Sequence, residues 1–182
     1  MMKLHIIYDY KDIYPKLSGT ELTDAMIRRC LGSEDIVIYR TEKGKPYVRM
    51  PEADCAGPYI SVSHSGTTFA LLVSDREVGL DIQYAREING KRIAARYFTA
   101  EEVDQIASDN TNDRFFELWA QREACSKYTG IGLQQVMNRE PLQRNEEVRF
   151  IDLRLEDGCF CSVCTGVQEG DQSDEIQISY GE

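Results

Sequence analysis

A short segment of strict alternation, from Glu77 to Gln83, constrains the fold of this chain most, because a β-strand with this pattern buries one face in a core. The apolar face consists of Val78, Leu80 and Ile82. The other face carries Asp81 and Gln83, and Gly79 leaves space beside them. The segment therefore predicts a sheet that presents a carboxylate and an amide on one side.

A long helix is predicted from Asp113 to about Tyr128, ended by Gly130. Trp119, Glu123 and Lys127 follow one another at four-residue spacing and share a line on this helix. Together with a carboxylate on a strand, such a helix face can hold a divalent cation against a phosphate. The ordinary alternative is a solvated aspartate and an exposed ion pair worth a few tenths of a kcal/mol.

The order of predicted elements is strand, helix and strands, followed by helices and strands. The first helix starts at a Ser18–Glu21 capping box and stops at Gly32, and Thr99–Glu102 forms a second capping box. The last three strands are predicted as a meander of Val148–Leu155, Cys159–Thr165 and Glu175–Tyr180. Each half has helix plus about three strands, which predicts a pseudo-duplicated α+β fold, a single unit over 1–182 with halves of about 1–83 and 84–182.

Composition narrows the class of partner. The chain has 182 residues and a net charge of −10, which argues against a general nucleic-acid or anionic-membrane binder. No apolar run approaches a membrane span, and the start resembles a first strand more than a signal peptide. We therefore expect a cytoplasmic protein with reduced thiols, and a monomer as the simpler case.

Three cysteines, Cys159, Cys161 and Cys164, form a Cys-x-Cys-x-x-Cys cluster. A structural zinc site needs four ligands at suitable spacing, and no second cysteine pair or histidine lies nearby. The alternation around Cys161 predicts a half-buried strand instead.

Hydroxyls, a histidine and lysines supply further phosphate donors. The segment Ser61–Gly66 contains Ser63 and His64, and Lys45 lies in a turn with Lys43. A surface histidine and a solvated turn are the ordinary readings. A serine–histidine hydrolase is disfavoured, since adjacent side chains on a strand diverge.

The combination of these segments resembles a known family, the 4'-phosphopantetheinyl transferases of the larger, surfactin-synthetase-activating (Sfp) type. The matching segments are Gly44–Pro46, Val62–Ser65, Gly79–Gln83 and Trp119–Lys127. The resemblance covers about Glu42 to Leu133, the middle half of the chain. It implies a pseudo-dimer of two α+β halves with the active site between them.

The resemblance also implies an activity. Members of this family transfer the phosphopantetheine arm of coenzyme A to a serine of an apo carrier protein and release 3',5'-ADP. By resemblance, Asp81, Glu123 and Gln83 bind Mg²⁺, and Lys127 neutralises phosphate charge. Glu123, directly or through a metal-bound water, is the candidate base for the serine hydroxyl. The implied coenzyme A contacts are Lys45, Ser63, His64, Lys127 and Thr20.

The chain departs from the family pattern in three ways. Gln83 stands where the family usually has a third acid, which keeps an oxygen ligand and removes a charge. Arg122 replaces a usual lysine, a change of geometry at constant charge. The N-terminal half is shorter than usual.

Two alternatives to an active transferase remain open. One is a non-catalytic coenzyme A or carrier-binding protein that retains the fold, and the other is a metal-dependent nucleotide hydrolase. Docking of an acidic carrier to an acidic chain requires a local basic surface. We expect that surface just after the Asp81 strand, where the cationic residues are Arg86, Lys91, Arg92 and Arg96.

Overall fold

A computed structural model describes residues 1–50, 57–137, 148–167 and 175–181. The described chain divides into two compact units. The first contains the residues up to Val78 and the last strand, and the second begins at Gly79. The mixture of helices and strands confirms the α+β class, whereas the similarity of two halves stays a prediction.

The elements follow one another in an order close to the predicted one. In chain order they are β1 (Met2–Ile7), α1 (Tyr10–Ile13), α2 (Gly19–Leu31), β2 (Val37–Arg40), β3 (Pro46–Arg49), β4 (Tyr59–Ser65), β5 (Thr68–Ser74), β6 (Val78–Gln83), α3 (Gly90–Tyr97), α4 (Ala100–Ser108), α5 (Asp113–Thr129), α6 (Leu133–Val136), β7 (Val148–Arg154), β8 (Phe160–Gly166) and β9 (Ile176–Gly181). No helix in the described ranges is both long and apolar enough to cross a bilayer.

The first unit is a four-stranded sheet of order β4-β5-β1-β9, with helix α2 and a β2–β3 ribbon. Helix α2 buries Leu22, Met26 and Ile27 in a core that also contains Phe69 and Leu71 of β5. The helix ends as predicted at Gly32, whose left-handed backbone favours glycine. Ser18 lies at the N-cap, but its side chain makes no capping hydrogen bond, so the predicted capping box is absent there.

The second unit packs its helices on a three-stranded sheet of order β6-β8-β7. The predicted capping box of α4 is present, with Thr99 and Glu102 bonding to each other's backbone N–H groups. Helix α5 ends at Gly130 in the left-handed region, as predicted.

The predicted meander of the last three strands is wrong. Strands β7 and β8 form the predicted hairpin, but β9 pairs in parallel with β1, with Ile178 opposite Leu4. The apolar pattern of β9 predicts a strand without naming its partner, because strand pairing depends on residues far apart in sequence. Strand β8 also differs from the half-buried strand predicted, since Phe160 to Thr165 are buried on both faces.

Candidate active site

Strand β6 and helix α5 come into direct backbone contact at Gly79. A Cβ atom at this position would lie 1.9 Å from the Ala124 carbonyl oxygen and 2.5 Å from the Tyr128 amide nitrogen. Only glycine allows this approach, because the helix backbone fills the space of any side chain. Strand alternation then turns Asp81, two residues later, toward the same helix.

Asp81 is buried, with 3% of its surface exposed, and both of its carboxylate oxygens accept hydrogen bonds. Lys127 donates from Nζ to Oδ1 at 2.8 Å, and Gln83 donates from Nε2 to Oδ2 at 2.7 Å. The structure therefore brings together three of the predicted site residues from β6 and α5.

Glu123, one helical turn before Lys127, is half-buried on α5. Its burial raises the pKa of the carboxyl group, and the negative charge of Asp81 raises the pKa further, while Lys127 acts in the opposite direction. Two carboxyl groups that interact in this way hold less negative charge than two isolated ones unless a cation joins them. Raised carboxyl pKa values of this kind occur often at functional sites.

The donor set fits a magnesium ion. The carboxylates of Asp81 and Glu123 and the amide oxygen of Gln83 are hard oxygen ligands, and Mg²⁺ is usually held by one or two carboxylates together with phosphates and waters. Among the described residues, no group of three or more His, Cys, Asp or Glu side chains forms a metal centre. A cation here would therefore depend on oxygens from a ligand for the rest of its coordination.

Replacing Glu123 with glutamine is expected to raise the melting temperature at pH 7. Burial and Asp81 raise the folded-state pKa of Glu123, so the folded chain holds its proton more tightly than the unfolded chain. The free energy of unfolding therefore falls as the pH rises from the pKa of Glu123 in the unfolded chain toward its pKa in the folded chain. Glutamine does not titrate, so the variant does not lose this stability. Thermal melts from pH 4 to pH 8 measure the difference between variant and wild type, which should vanish near pH 4. A difference that persists unchanged at pH 4 would contradict this explanation.

Lys45 is engaged within the first unit rather than presented as an isolated charge. Its Nζ forms an ion pair with Glu77 Oε1 at 2.5 Å and donates to the Val78 carbonyl at 3.3 Å. Tyr47 also donates to Glu77, at 3.1 Å. The Glu77 carboxylate thus offsets much of the charge that Lys45 could offer to a phosphate.

His64 and the start of α2 line a cleft of about 410 Å³ in the first unit. The His64 ring lies 6.0 Å from that of Tyr10, while the neighbouring Ser63 is buried in β4. Thr20 is exposed and does not line the cleft. Helix N-termini attract anions through unpaired N–H groups, so the cleft suits a phosphate.

Lys11 and Thr23 are among the cleft residues that were not predicted from the sequence as site residues. Lys11 lies in the short helix α1, two residues after Asp9, a non-glycine residue with positive φ. Thr23 lies one turn after Thr20 and one position after the buried Leu22. The amphipathic pattern of α2 could have favoured Thr23 over Thr20, because Thr23 is closer to the buried face.

Arg122 is a buried cation that joins three helices. Its guanidinium donates to both carboxylate oxygens of Glu102, at 2.8 and 2.7 Å, and to the Val136 carbonyl at 2.9 Å. It also lies 5.7 Å from the centre of the Phe98 ring. These contacts attach α5 to both α4 and α6, immediately beside Glu123.

The predicted docking residues lie on and before α3. All four are exposed, and the segment Gly90–Tyr97 contains no acidic residue. Lys91 donates to the Ala107 carbonyl at 2.8 Å. The other face of α3 packs Ile93 and Tyr97 against the core of the second unit.

The three clustered cysteines are buried in β8 or at its start. Burial, with the nearby Asp157 charge, raises the pKa of Cys159 to about 12, and burial also raises the pKa of Cys161. Thiols with raised pKa values are poor nucleophiles and poor metal ligands, since both roles need the thiolate.

An α+β chain with two carboxylates, a carboxamide and a lysine between a strand and a helix has the composition of a site for a divalent cation and a phosphate. Residues 77–174 match the 4'-phosphopantetheinyl transferase superfamily (ACPS). This match covers more than half of the chain and includes β6 and α5. The chain belongs to the 4'-phosphopantetheinyl transferase superfamily, a family of transferases.

Several proteins similar to this chain are 4'-phosphopantetheinyl transferases. The 4'-phosphopantetheinyl transferase gsp of Aneurinibacillus migulanus is 29% identical over 172 residues, 85% of this chain and 70% of the relative. The 4'-phosphopantetheinyl transferase Sfp of Bacillus subtilis (strain 168) is 29% identical over 72% of this chain and 58% of the relative. Psf-1 of Bacillus pumilus is 36% identical over 53% of this chain, and the match spans 41% of the relative. The resemblance identified from the sequence is confirmed at the level of the family.

Proposed function

We propose that this chain transfers the 4'-phosphopantetheine arm of coenzyme A to a serine of an apo carrier protein, with Mg²⁺ as cofactor and 3',5'-ADP as product. The observation that carries the proposal is the contact of Asp81 on β6 with Lys127 on α5, beside Glu123. Family membership supports the reaction class. Phosphoryl transfer needs positioning and charge neutralisation more than covalent participation of the protein, and this site offers both.

Glu123 is the proposed base for the carrier serine. Burial and the Asp81 charge raise the pKa of Glu123, and a carboxylate with a raised pKa is a stronger base than an ordinary glutamate. In the proposed step Glu123 accepts the hydroxyl proton while the serine oxygen bonds to the phosphorus of the phosphopantetheine arm. The bond from that phosphorus to the bridging oxygen breaks, and 3',5'-ADP leaves with the electron pair.

Lys127 is proposed to neutralise the phosphate oxygens on which negative charge is concentrated. The Lys127 side chain is 30% exposed, so a phosphate can approach it while the ion pair with Asp81 stays in place. Asp81, Glu123 and the Gln83 amide oxygen are the proposed ligands of Mg²⁺. The cation would supply charge neutralisation on the diphosphate when bound.

The cleft at the start of α2 is proposed to bind a phosphate of coenzyme A. His64 and Lys11 supply donors, and the helix N-terminus supplies backbone N–H groups. Thr23 lines the cleft, but its hydroxyl donates to the Gly19 carbonyl at 3.1 Å, so Thr20 remains the proposed hydroxyl contact. Lys45 and Ser63 remain proposed contacts of coenzyme A, Lys45 at the nucleotide and Ser63 at a phosphate oxygen.

Reversing the charge of Arg92 and Arg96 is expected to raise the KM for the carrier protein about tenfold and to leave the KM for coenzyme A unchanged, because exposed charges mainly steer a charged partner. These residues lie on the exposed, acid-free face of α3. Steady-state kinetics with each substrate varied in turn measures the two KM values separately. Arg49→Glu, which makes half of that charge change on exposed β3, is the control and should alter neither KM. Equal effects of the α3 changes on both KM values would disprove docking at α3.

Intact-mass spectrometry tests the proposed activity directly. An apo carrier protein is incubated with this chain, coenzyme A and Mg²⁺, and the carrier should gain one phosphopantetheine group. A chelator should abolish the gain. Coenzyme A binding without any gain on fatty-acid, polyketide and peptide carriers would favour the non-catalytic alternative, and release of 3',5'-ADP without a carrier would favour a hydrolase.

A further inference from the structure

Asp81 has both carboxylate oxygens engaged by side chains of the chain itself. Lys127 occupies Oδ1 at 2.8 Å, and Gln83 occupies Oδ2 at 2.7 Å. The Asp81 side chain is only 4% exposed, so water screens this pair weakly. A divalent cation bound to Asp81 would lie close to the Lys127 ammonium, and the two positive charges would repel each other.

The charge of the site is low for one that binds a divalent cation. Asp81 and Glu123 supply two negative charges, Lys127 supplies one positive charge and Gln83 supplies none, which leaves a net charge of −1. The affinity of oxygen sites for hard cations rises with the number of charged ligands. A diphosphate provides both further negative charge and further oxygens, and it also gives the Lys127 ammonium an alternative partner.

We propose that Gln83 and Lys127 keep the affinity for a free divalent cation low, so that the chain takes up its cation together with the diphosphate of coenzyme A and not before it. This inference rests on the proposed function. Gln83 is a positioning residue in this proposal, since its amide holds the Asp81 carboxylate while Lys127 balances its charge. The neutral side chain of Gln83 then contributes to the order in which the ligands bind.

Manganese binding to the full chain tests the order without any turnover. Mn²⁺ is titrated in the absence of carrier protein, with and without saturating coenzyme A, and free Mn²⁺ is followed by its electron paramagnetic resonance signal. The Mn²⁺ bound by coenzyme A in the absence of the protein is measured separately and subtracted. We expect the Kd for Mn²⁺ to be at least about tenfold lower with coenzyme A than without it, since the diphosphate adds charged ligands.

Two variants identify the residues responsible. Gln83→Glu restores a third acid and should lower the Kd for Mn²⁺ without coenzyme A by about tenfold or more. Lys127→Met removes the repelling ammonium and should also lower the Kd for Mn²⁺ without coenzyme A. The same change should weaken the binding of coenzyme A. Gln121→Glu is the matched control, because Gln121 donates to Asp152 at the same 2.7 Å distance on another part of α5. This control should leave Mn²⁺ binding unchanged.

The outcomes separate this inference from the proposed function. Equal Mn²⁺ affinity with and without coenzyme A would overturn the binding order and leave the transfer reaction standing. Unchanged Mn²⁺ affinity in both Gln83→Glu and Lys127→Met would overturn the roles of these residues, and Lys127→Met decides the matter if Gln83→Glu does not fold. Failure of the chain to bind coenzyme A at all would overturn the proposed function itself.

Discussion

Replacing Asp81 with asparagine is expected to lower the rate of phosphopantetheine transfer about a thousandfold. A catalytic metal ion contributes several kcal/mol of charge stabilisation, and each 1.36 kcal/mol corresponds to a factor of ten in rate. Asparagine has the size of aspartate, so the contact between β6 and α5 at Gly79 should survive. The loss should therefore come from the missing charge that Lys127 and the cation share, rather than from a change of fold.

The measurement is kcat/KM for an apo carrier, from the rate of mass gain at saturating Mg²⁺. Thermal melts establish that the variant is folded. Asp152→Asn is the control, since the Asp152 carboxylate likewise accepts an amide hydrogen bond at 2.7 Å, from Gln121. The control should retain full activity. Activity of Asp81→Asn within tenfold of wild type would refute the assignment of Asp81 to the cation.

Replacing Arg122 with methionine is expected to cost about 3–5 kcal/mol of the free energy of unfolding, because removal of one partner leaves a buried charge without compensation. The Arg122 and Glu102 side chains are only 2% and 7% exposed. The Val136 carbonyl would lose its donor in the same variant. For a chain of this length the melting temperature should fall by roughly 10 °C, at about 2–4 °C per kcal/mol.

Arg122→Lys separates charge from geometry. A single ammonium can keep the pair with Glu102 but cannot reach the Val136 carbonyl with the same planar fork, so we expect a smaller loss of about 1–2 kcal/mol. The control is Asp75→Asn, which removes the exposed ion pair with the N-terminal ammonium and should cost less than about 1 kcal/mol. Differential scanning calorimetry compares the three variants. A loss in Arg122→Met no larger than in the control would show that the buried pair is not stabilising.

Local patterns in the sequence predicted the elements that carry the site. Alternation from Val78 to Gln83 and the four-residue spacing of Glu123 and Lys127 depend on the periods of strand and helix, which are properties of the backbone. The Thr99–Glu102 capping box was predicted for the same reason, since all its partners lie within one turn. The same rule failed at Ser18, which lies at the N-cap of α2 but makes no capping hydrogen bond with its side chain.

Partners that lie far apart in sequence were not predictable in the same way. The pairing of β9 with β1 joins the two ends of the described chain, and no local pattern specifies it. The burial of Arg122 and the pairing of Lys45 with Glu77 depend equally on distant residues. A charged side chain has the same local signature whether it faces water or a buried carboxylate.

The sequence by itself determined the family and the α+β class, and it named Asp81, Glu123 and Lys127 as candidate site residues, because these follow from motif chemistry and from the periods of strand and helix. Only the tertiary structure decided what those residues contact. It showed that Gln83 donates to Asp81, that Lys127 pairs with the same carboxylate and that Arg122 is buried against Glu102. The physical reason is that hydrogen-bond partners and burial, which set the charge of a site, depend on packing between distant segments.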